Sequence, residues 1–201
     1  MPNNRDYIID IFHFLSKTEN LKNTLRTSHT SNGRQESTAE HSWMLSLLAL
    51  LIIEKYPDLD HVKILSFCII HDIAESITGD IPAPENDNKS KKEEDELIAM
   101  NNITDYLPET LACNLLSLYD EYAKGETNEA RLVKALDRFE TIFQHIIGIN
   151  QDDFDYNYNL TYGENLTSFD EFTKEIRSHL NNETRKINRL AQISKRKKLY
   201  D

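Results

Sequence analysis

The segment Phe67-Cys68-Ile69-Ile70-His71-Asp72-Ile73-Ala74-Glu75 places a histidine, an aspartate and a glutamate within a run of apolar residues. On a helical wheel, the apolar residues between positions 62 and 77 leave no polar face, which predicts a helix enclosed on most sides. Charged groups in such surroundings are costly unless they are paired or bind a metal ion. Glu75 follows His71 by four residues and Asp72 by three, so the three side chains can approach one region of space.

Length and composition indicate a single all-α domain. A chain of 201 residues can bury a sizeable core, and 39% hydrophobic with 28% charged residues is ordinary for a soluble globular protein. Glycine and proline are scarce, at five each, and strand-like alternation of apolar and polar residues is rare. We therefore expect one helical bundle spanning residues 1–201, with no internal domain boundary.

Charge and cysteine content limit the function classes. The formal net charge of −11 argues against a nucleic-acid-binding surface, and it means that an anionic substrate needs a local cation. Cys68 and Cys113 are too few for a disulfide framework and indicate a reducing compartment. The first residues lack an apolar signal core, and the longest apolar run, residues 43–53, is too short to span a bilayer. We expect a cytoplasmic protein that binds neither nucleic acid nor membranes.

Capping residues predict where the main helices begin. Ser37 and Glu40 form a capping box, so a helix running to about Tyr56 would carry His41 in its first turn. Asp60 suits the cap of the central helix, which we expect to end near residue 79. The other predicted segments are a first helix over 6–16, a polar connection over 17–36, helices opening near 90, 108 and 127, a loop over 150–165 and a last helix after 168.

Four residues on three predicted helices form a candidate metal site: His41, His71, Asp72 and Asp137. Two imidazoles and two carboxylates suit Mn²⁺, Fe²⁺, Co²⁺ or Ni²⁺ at least as well as Zn²⁺, whose structural sites usually contain cysteine. Four protein ligands around an octahedral ion would leave two positions for water or substrate. Such open coordination is typical of a catalytic site.

Each candidate ligand also has a structural interpretation. Taken singly, His41 is typical of a surface residue near a helix start, and His71 of a hydrogen-bonded core histidine. Asp137 has Lys134 and Arg138 as neighbouring ion-pair partners. The adjacent pair at 71 and 72 is harder to explain without a metal, because its neighbours on both sides are apolar.

Four short sequences, in order along the chain, resemble those of a known family. They are Glu36–Ser42, His71–Glu75, Thr78–Pro82 and Lys134–Arg138. Together they resemble the HD superfamily of metal-dependent phosphohydrolases, in particular its bacterial 5′-deoxynucleotidase branch and related HD-domain proteins. The resemblance spans about residues 21–147. It implies an HD-type helical fold and divalent-metal-dependent hydrolysis of (deoxy)nucleoside 5′-monophosphates to nucleoside and phosphate.

The resemblance also implies roles for further residues. Glu75 corresponds to a catalytic glutamate that orients or activates the attacking water. Arg26 corresponds to an arginine that orients the substrate phosphate, and Asp80 to an aspartate that contacts the nucleotide. The cofactor would be one divalent ion among Mn, Co, Fe, Ni, Mg and Zn. Because the family commonly forms homodimers, a homodimer is expected as well.

Two residues depart from the pattern of the deoxynucleotidase branch. Thr27 stands where those enzymes carry a tryptophan associated with sugar discrimination, and Ala83 replaces a small polar residue. The sugar preference is therefore open. One alternative is an HD phosphohydrolase acting on a triphosphate, a cyclic nucleotide or a small phosphate ester. A second is a non-catalytic helical module that binds a metal or nucleotide. The basic carboxyl-terminal stretch is expected to be a solvated helix end.

Overall fold

A computed structural model describes residues 4–82 and 89–198, with the side chains of Lys89 and of residues 194–198 left aside. Residues 83–88, which include Ala83, lie outside the described part of the chain. The α-helices and β-strands of the described residues are α1 (Asn4–Thr18), β1 (Leu25–His29), β2 (Gln35–Ser37), α2 (Thr38–Ile52), α3 (His61–Ile70), α4 (Glu75–Thr78), α5 (Lys89–Thr104), α6 (Glu109–Lys124), α7 (Asn128–Ile147), α8 (Tyr158–Thr161) and α9 (Glu171–Lys198). The prediction of a helical domain is confirmed.

Three of the predicted helix starts have the expected caps. The Ser37 side chain accepts a hydrogen bond from the Glu40 amide, and the Ser37 amide donates one to the Glu40 side chain, which completes the capping box of α2. Asp60 caps α3 and Thr127 caps α7, each by accepting a bond from a backbone amide of the first turn. These local signals act within one turn, so they were readable from the sequence.

The polar connection predicted over 17–36 is wrong in part, because it contains a β-hairpin. Strands β1 and β2 pair antiparallel, with Leu25 opposite Ser37 and His29 opposite Gln35. The strands are too short and too polar to show an alternating pattern. Their support is tertiary: Gln144 of α7 donates its side-chain amide to the His29 carbonyl at 2.7 Å. This contact ties the hairpin to the longest buried helix of the core.

The continuous central helix predicted to residue 79 is also wrong. Helix α3 ends at Ile70, and a short turn separates it from α4. The amides of Ile73, Glu75 and Ser76 bond carbonyls three residues earlier, which is a tighter winding than that of an α-helix. The tighter turn rotates the side chains after His71 relative to a regular helix, and this changes the direction of Glu75.

Within this chain α3 is not enclosed on most sides, which corrects a further expectation. Val62 and Ile69 of α3 leave 76% and 58% of their surface exposed, and Ile77 of α4 leaves 56%. The buried face of α3, with Ile64, Phe67 and Cys68 at 0% exposure, packs against α2, α6 and α7. An apolar run indicates that a helix is buried, but it does not show whether the residues that bury it belong to the same chain.

Helix α7 occupies the centre of the core. Its Leu132, Val133, Leu136, Phe139 and Ile142 are buried, and it packs against α2, α3 and α9. Phe143 of the same helix is exposed, at 41%. None of the helices within the described ranges is both long and apolar enough to cross a membrane.

Candidate metal centre and cavity

His41 is held in the first turn of α2 and is fully buried. Its Nδ1 atom forms a short hydrogen bond with a carboxylate oxygen of Glu140 on α7. A carboxylate accepts, so Nδ1 carries the proton and Nε2 points its lone pair away from Glu140. A carboxylate behind a histidine in this way fixes the ring orientation of a metal ligand.

His71 follows the last residue of α3, and its Nε2 atom has a lone pair like that of His41. Its Nδ1 lies 3.0 Å from the Cys68 carbonyl oxygen, which can only accept, so Nε2 again has a lone pair. The Nε2 atoms of His71 and His41 lie 3.3 Å apart. Two atoms each about 2.1 Å from a shared ion lie roughly 3.0 to 3.4 Å apart between octahedral and tetrahedral geometry. The spacing fits two ligands of one ion.

Two carboxylates complete the cluster. An Asp137 oxygen lies 3.2 Å from His41 Nε2, and an Asp72 oxygen lies 2.9 Å from His71 Nε2 and 3.8 Å from His41 Nε2. The ligand atoms of His41, His71 and Asp137 lie within 4.8 Å of one another. Asp72 lies beside this group, because one of its oxygens is close to the Nε2 atoms of both histidines. The structure thus brings together all four predicted ligand residues, and their donor set fits a divalent ion.

The electrostatics of the cluster favour a positive charge at its centre. Burial and Arg26 act to lower the pKa of His41, but Glu140 and Asp137 raise it to about 10. Burial acts to raise the pKa of Asp72, but His71 and His41 lower it to about 2. Both shifts stabilise charged forms in a buried place, which requires a proton or a metal cation among the carboxylates.

Glu75 is buried beside this cluster. One of its oxygens accepts a hydrogen bond from Lys92 Nζ at 3.2 Å, and the other lies 3.4 Å from the Thr38 hydroxyl. Burial raises the pKa of Glu75 to about 9, and the charges of Asp72 and Asp80 add to the effect. A carboxyl group whose pKa lies above neutrality is suited to exchange a proton with water.

Arg26 lies on β1 and reaches the cluster from the hairpin. Its Nη1 is 3.9 Å from an Asp72 oxygen, its Nε is 3.4 Å from a Glu36 oxygen, and its Nη2 donates to the Thr141 hydroxyl at 3.1 Å. Burial acts to lower the pKa of Arg26, but the negative charges of Asp72 and other carboxylates outweigh burial and raise the pKa above its ordinary value. The guanidinium therefore stays charged. The hairpin missed by sequence analysis is what places this cation.

A cavity of about 560 Å³ opens over the cluster. This volume is within the range of small-molecule sites, roughly 300–1,000 Å³. Arg26, Asp72, Glu75, Asp80 and Asp137 all line it, as does Thr27. Burial raises the pKa of the Asp80 carboxyl, with the charge of Arg26 acting against this.

Several residues of the site and of the cavity wall were not found from the sequence. Glu140 lies three residues after Asp137 on the buried face of α7, and this spacing is the signal that could have identified it. Lys92 gave no signal, since it lies in a run of charged residues. Other lining residues that the sequence did not identify include Arg138, Thr141, His145, Tyr119, Tyr122, Phe154, Tyr158 and Tyr162.

A helical domain with a mixed histidine and carboxylate cluster at the base of a cavity defines a metal-binding protein with room for a small ligand. The profile of the HD domain matches residues 18–177, and the chain belongs to the HD-domain family.

Named relatives agree with this assignment. The chain is 36% identical over 142 residues to the 5′-deoxynucleotidase hdd1 of Schizosaccharomyces pombe, covering 68% of this chain and 71% of that protein. It is 35% identical over 136 residues to human 5′-deoxynucleotidase HDDC2, covering 67% of this chain and 66% of that protein. A crystal structure from Magnetospirillum magnetotacticum, described as a predicted metal-dependent phosphohydrolase, has the same fold, with a TM-score of 0.77, 24% identity, and coverage of 94% and 96% of the two chains.

Proposed function

We propose that this protein hydrolyses nucleoside 5′-monophosphates, preferably the deoxy forms, to nucleoside and phosphate with the help of a divalent metal ion. The observation that carries the proposal is the convergence of the His41 and His71 Nε2 atoms with Asp137 at the base of the cavity, beside Arg26 and Glu75. The similarity to proteins named 5′-deoxynucleotidase supports the substrate class.

The proposed metal ligands are His41, His71, Asp72 and Asp137. A divalent ion bound there supplies charge neutralisation for the phosphate and lowers the pKa of water. Behind the ligands, Glu140 holds the His41 ring and the Cys68 carbonyl holds the His71 ring. These two contacts keep the Nε2 atoms aimed at one point before any ligand binds.

Protein cations around the cavity would bind the phosphate. Arg26 faces the cluster from the hairpin, and Lys92 faces it from α5. A planar guanidinium can donate two hydrogen bonds to phosphate oxygens, whereas an ammonium acts as a point charge. These cations would provide the local positive charge that an anionic substrate requires in a chain whose formal net charge is −11.

With a divalent ion bound, whose positive charge would favour the ionised carboxylate, Glu75 would position the attacking water and take its proton. Lys92 and Thr38 hold its two oxygens, so the carboxylate has a defined direction. Asp80 lines the cavity near the same group and is proposed to contact the sugar part of the nucleotide.

A substrate and metal screen tests the proposal. Purified protein, stripped of metal, is assayed for phosphate release from deoxy- and ribonucleoside 5′-monophosphates with Mn²⁺, Co²⁺, Ni²⁺, Mg²⁺ and Zn²⁺. We expect metal-dependent release of phosphate, with faster turnover of the deoxy forms. Release of pyrophosphate or triphosphate, or opening of a cyclic phosphate, would instead identify another HD phosphohydrolase. Tight nucleotide binding without turnover with every metal would identify a binding module.

We also propose that the protein forms a homodimer. Helices α2 and α3 pack against each other, and both expose large apolar side chains, including Trp43 at 63%, Leu51 at 74% and Val62 at 76%. Apolar surface of this kind is typical of an interface between proteins.

Sedimentation of the double variant Trp43→Glu, Leu51→Glu tests the homodimer. We expect the native protein to sediment as a dimer and the variant as a monomer, because two charges would be buried without partners in the interface. Leu190→Glu, a similar change at an exposed position of α9, is the matched control. A native protein that is monomeric at micromolar concentration would refute this proposal.

We propose a cytoplasmic location because both cysteines are free thiols. Cys68 and Cys113, both in the described part of the chain, are free thiols. One is buried in the core and the other is exposed, and an exposed free thiol is typical of a reducing compartment.

A further inference from the structure

The segment between α7 and α9, predicted as a loop with no assigned role, forms one side of the cavity. Phe154, Asp155, Tyr158 and Tyr162 line the same space as Asp72. We propose that this segment is the subsite for the nucleobase, with the rings of Phe154 and Tyr158 as its stacking surfaces. The inference rests on the proposed function, since it assigns the organic half of the same substrate.

Helix α7 gives the cavity its direction. Asp137, Thr141 and His145 all line the cavity and lie on successive turns of this helix. Eight residues of α-helix correspond to about 12 Å. The metal ligands lie at the Asp137 end, and Arg26 spans from Asp72 to Thr141, one turn further along α7. Phe154 packs on His145, another turn on, with ring centroids 4.8 Å apart. A nucleotide with its phosphate at the metal centre would extend its base towards Phe154.

The rings of the segment are arranged around the cavity. Arg138, which pairs with Asp137 at 2.8 Å, lies over the Tyr162 ring at 4.9 Å, and Tyr158 packs beside Tyr162 at 5.2 Å. Phe154 meets both His145 and Tyr156 at steep angles of 64° and 69°, so neither neighbour is stacked parallel on it. Phe154 and Tyr158 are both half-buried, and they line the open space.

The segment is held in place by a buried arginine. Arg177 of α9 donates hydrogen bonds to the carbonyls of Asn159 and Leu160, each at 2.9 Å, and to that of Tyr162 at 2.7 Å. Asn159 is itself buried, with its side-chain oxygen 2.8 Å from His145 Nδ1. A binding wall that is ordered before the ligand arrives loses little conformational freedom on binding.

The chemistry of this wall fits an aromatic base better than another phosphate or a bare sugar. The positive charges that line the cavity are at its metal end or, for Arg138, already stacked on Tyr162. Every nucleobase has a π face, so stacking on tyrosine or phenylalanine tolerates all of them. The subsite should therefore bind purine and pyrimidine nucleotides with little discrimination.

The test compares a nucleotide with the same sugar phosphate lacking its base. Phe154→Leu and Tyr158→Leu keep apolar bulk but remove the ring. We expect the kcat/KM for deoxyadenosine 5′-monophosphate to fall about tenfold more than that for 2-deoxyribose 5-phosphate, given the usual strength of base stacking. Tyr7→Leu, on α1 and outside the cavity, is the control and should change neither.

The outcomes separate the two proposals. Equal losses on both substrates, or no loss on either, would overturn the base subsite while leaving the hydrolase proposal intact. If the native protein hydrolyses neither compound, the proposed function fails. Calorimetry then decides the subsite: it stands only if Phe154→Leu weakens binding of the nucleotide more than binding of 2-deoxyribose 5-phosphate.

Discussion

The Asp72→Ala variant is expected to lose both its metal ion and its phosphatase activity. Asp72 lies 2.9 Å from His71 Nε2 and 3.9 Å from Arg26, so it connects the proposed metal site to the proposed phosphate site. Residues that only support metal ligands contribute about 10- to 100-fold to metal affinity, and loss of a ligand should exceed this. We expect kcat/KM to fall by at least about 10³-fold.

Metal binding and phosphate release are measured separately for this variant. Calorimetric titration with Mn²⁺ gives the affinity, and released phosphate gives the rate. Asp72→Asn removes the charge with little change of shape, and Asp105→Asn makes the same change at an exposed position outside the cavity. Full activity of a metal-free Asp72→Ala protein would show that the mechanism is wrong.

The Glu75→Gln variant is expected to keep its metal but to lose about 10²- to 10⁴-fold in kcat, the usual contribution of a general base. A glutamine has the shape of Glu75 and can still contact Thr38, but it cannot take a proton. Metal affinity should change much less than in Asp72→Ala, because Glu75 is not a proposed ligand. A variant with native kcat would remove Glu75 from the mechanism.

The same variant should be more stable than the native protein at neutral pH when metal is absent. Folding raises the pKa of Glu75 from 4.5 to about 9, so the folded protein binds this proton more tightly than the unfolded chain does. Stability must then fall as pH rises from about 4.5 to about 9, and glutamine removes that loss. We expect a gain on the order of 3 kcal/mol at pH 7, and almost none at pH 4, in urea unfolding with a chelator present. A gain that does not depend on pH would contradict this account.

The sequence was sufficient where the physical cause was local. The caps at Ser37, Asp60 and Thr127 act within one helical turn, and each is present in the structure. The four candidate ligands could be identified because polar residues in apolar helices require a partner. Because the four residues lie on three separate helices, a bound metal ion was the one partner that could account for all of them.

Other features depended on contacts between distant residues. The hairpin carrying Arg26 is supported by Gln144, which lies 115 residues away from its partner His29 in the chain. Glu140 resembled an ordinary helix residue until the fold placed it against His41. The wall of the cavity formed by residues 154–162 owes its conformation to Arg177 of α9, and no local pattern indicated that it faces the metal centre.

The sequence by itself determined the helical class, the main helix starts and the set of candidate metal ligands, because capping and hydrophobic burial are properties of short segments. Only the tertiary structure decided how α3 stops at Ile70, how Glu75 turns towards Lys92 and which rings surround the cavity. Those choices depend on packing and hydrogen bonds between elements far apart in the chain. The apolar run around His71 and Asp72 is therefore the end of a helix beside the proposed metal centre, with one face in the core and the other exposed.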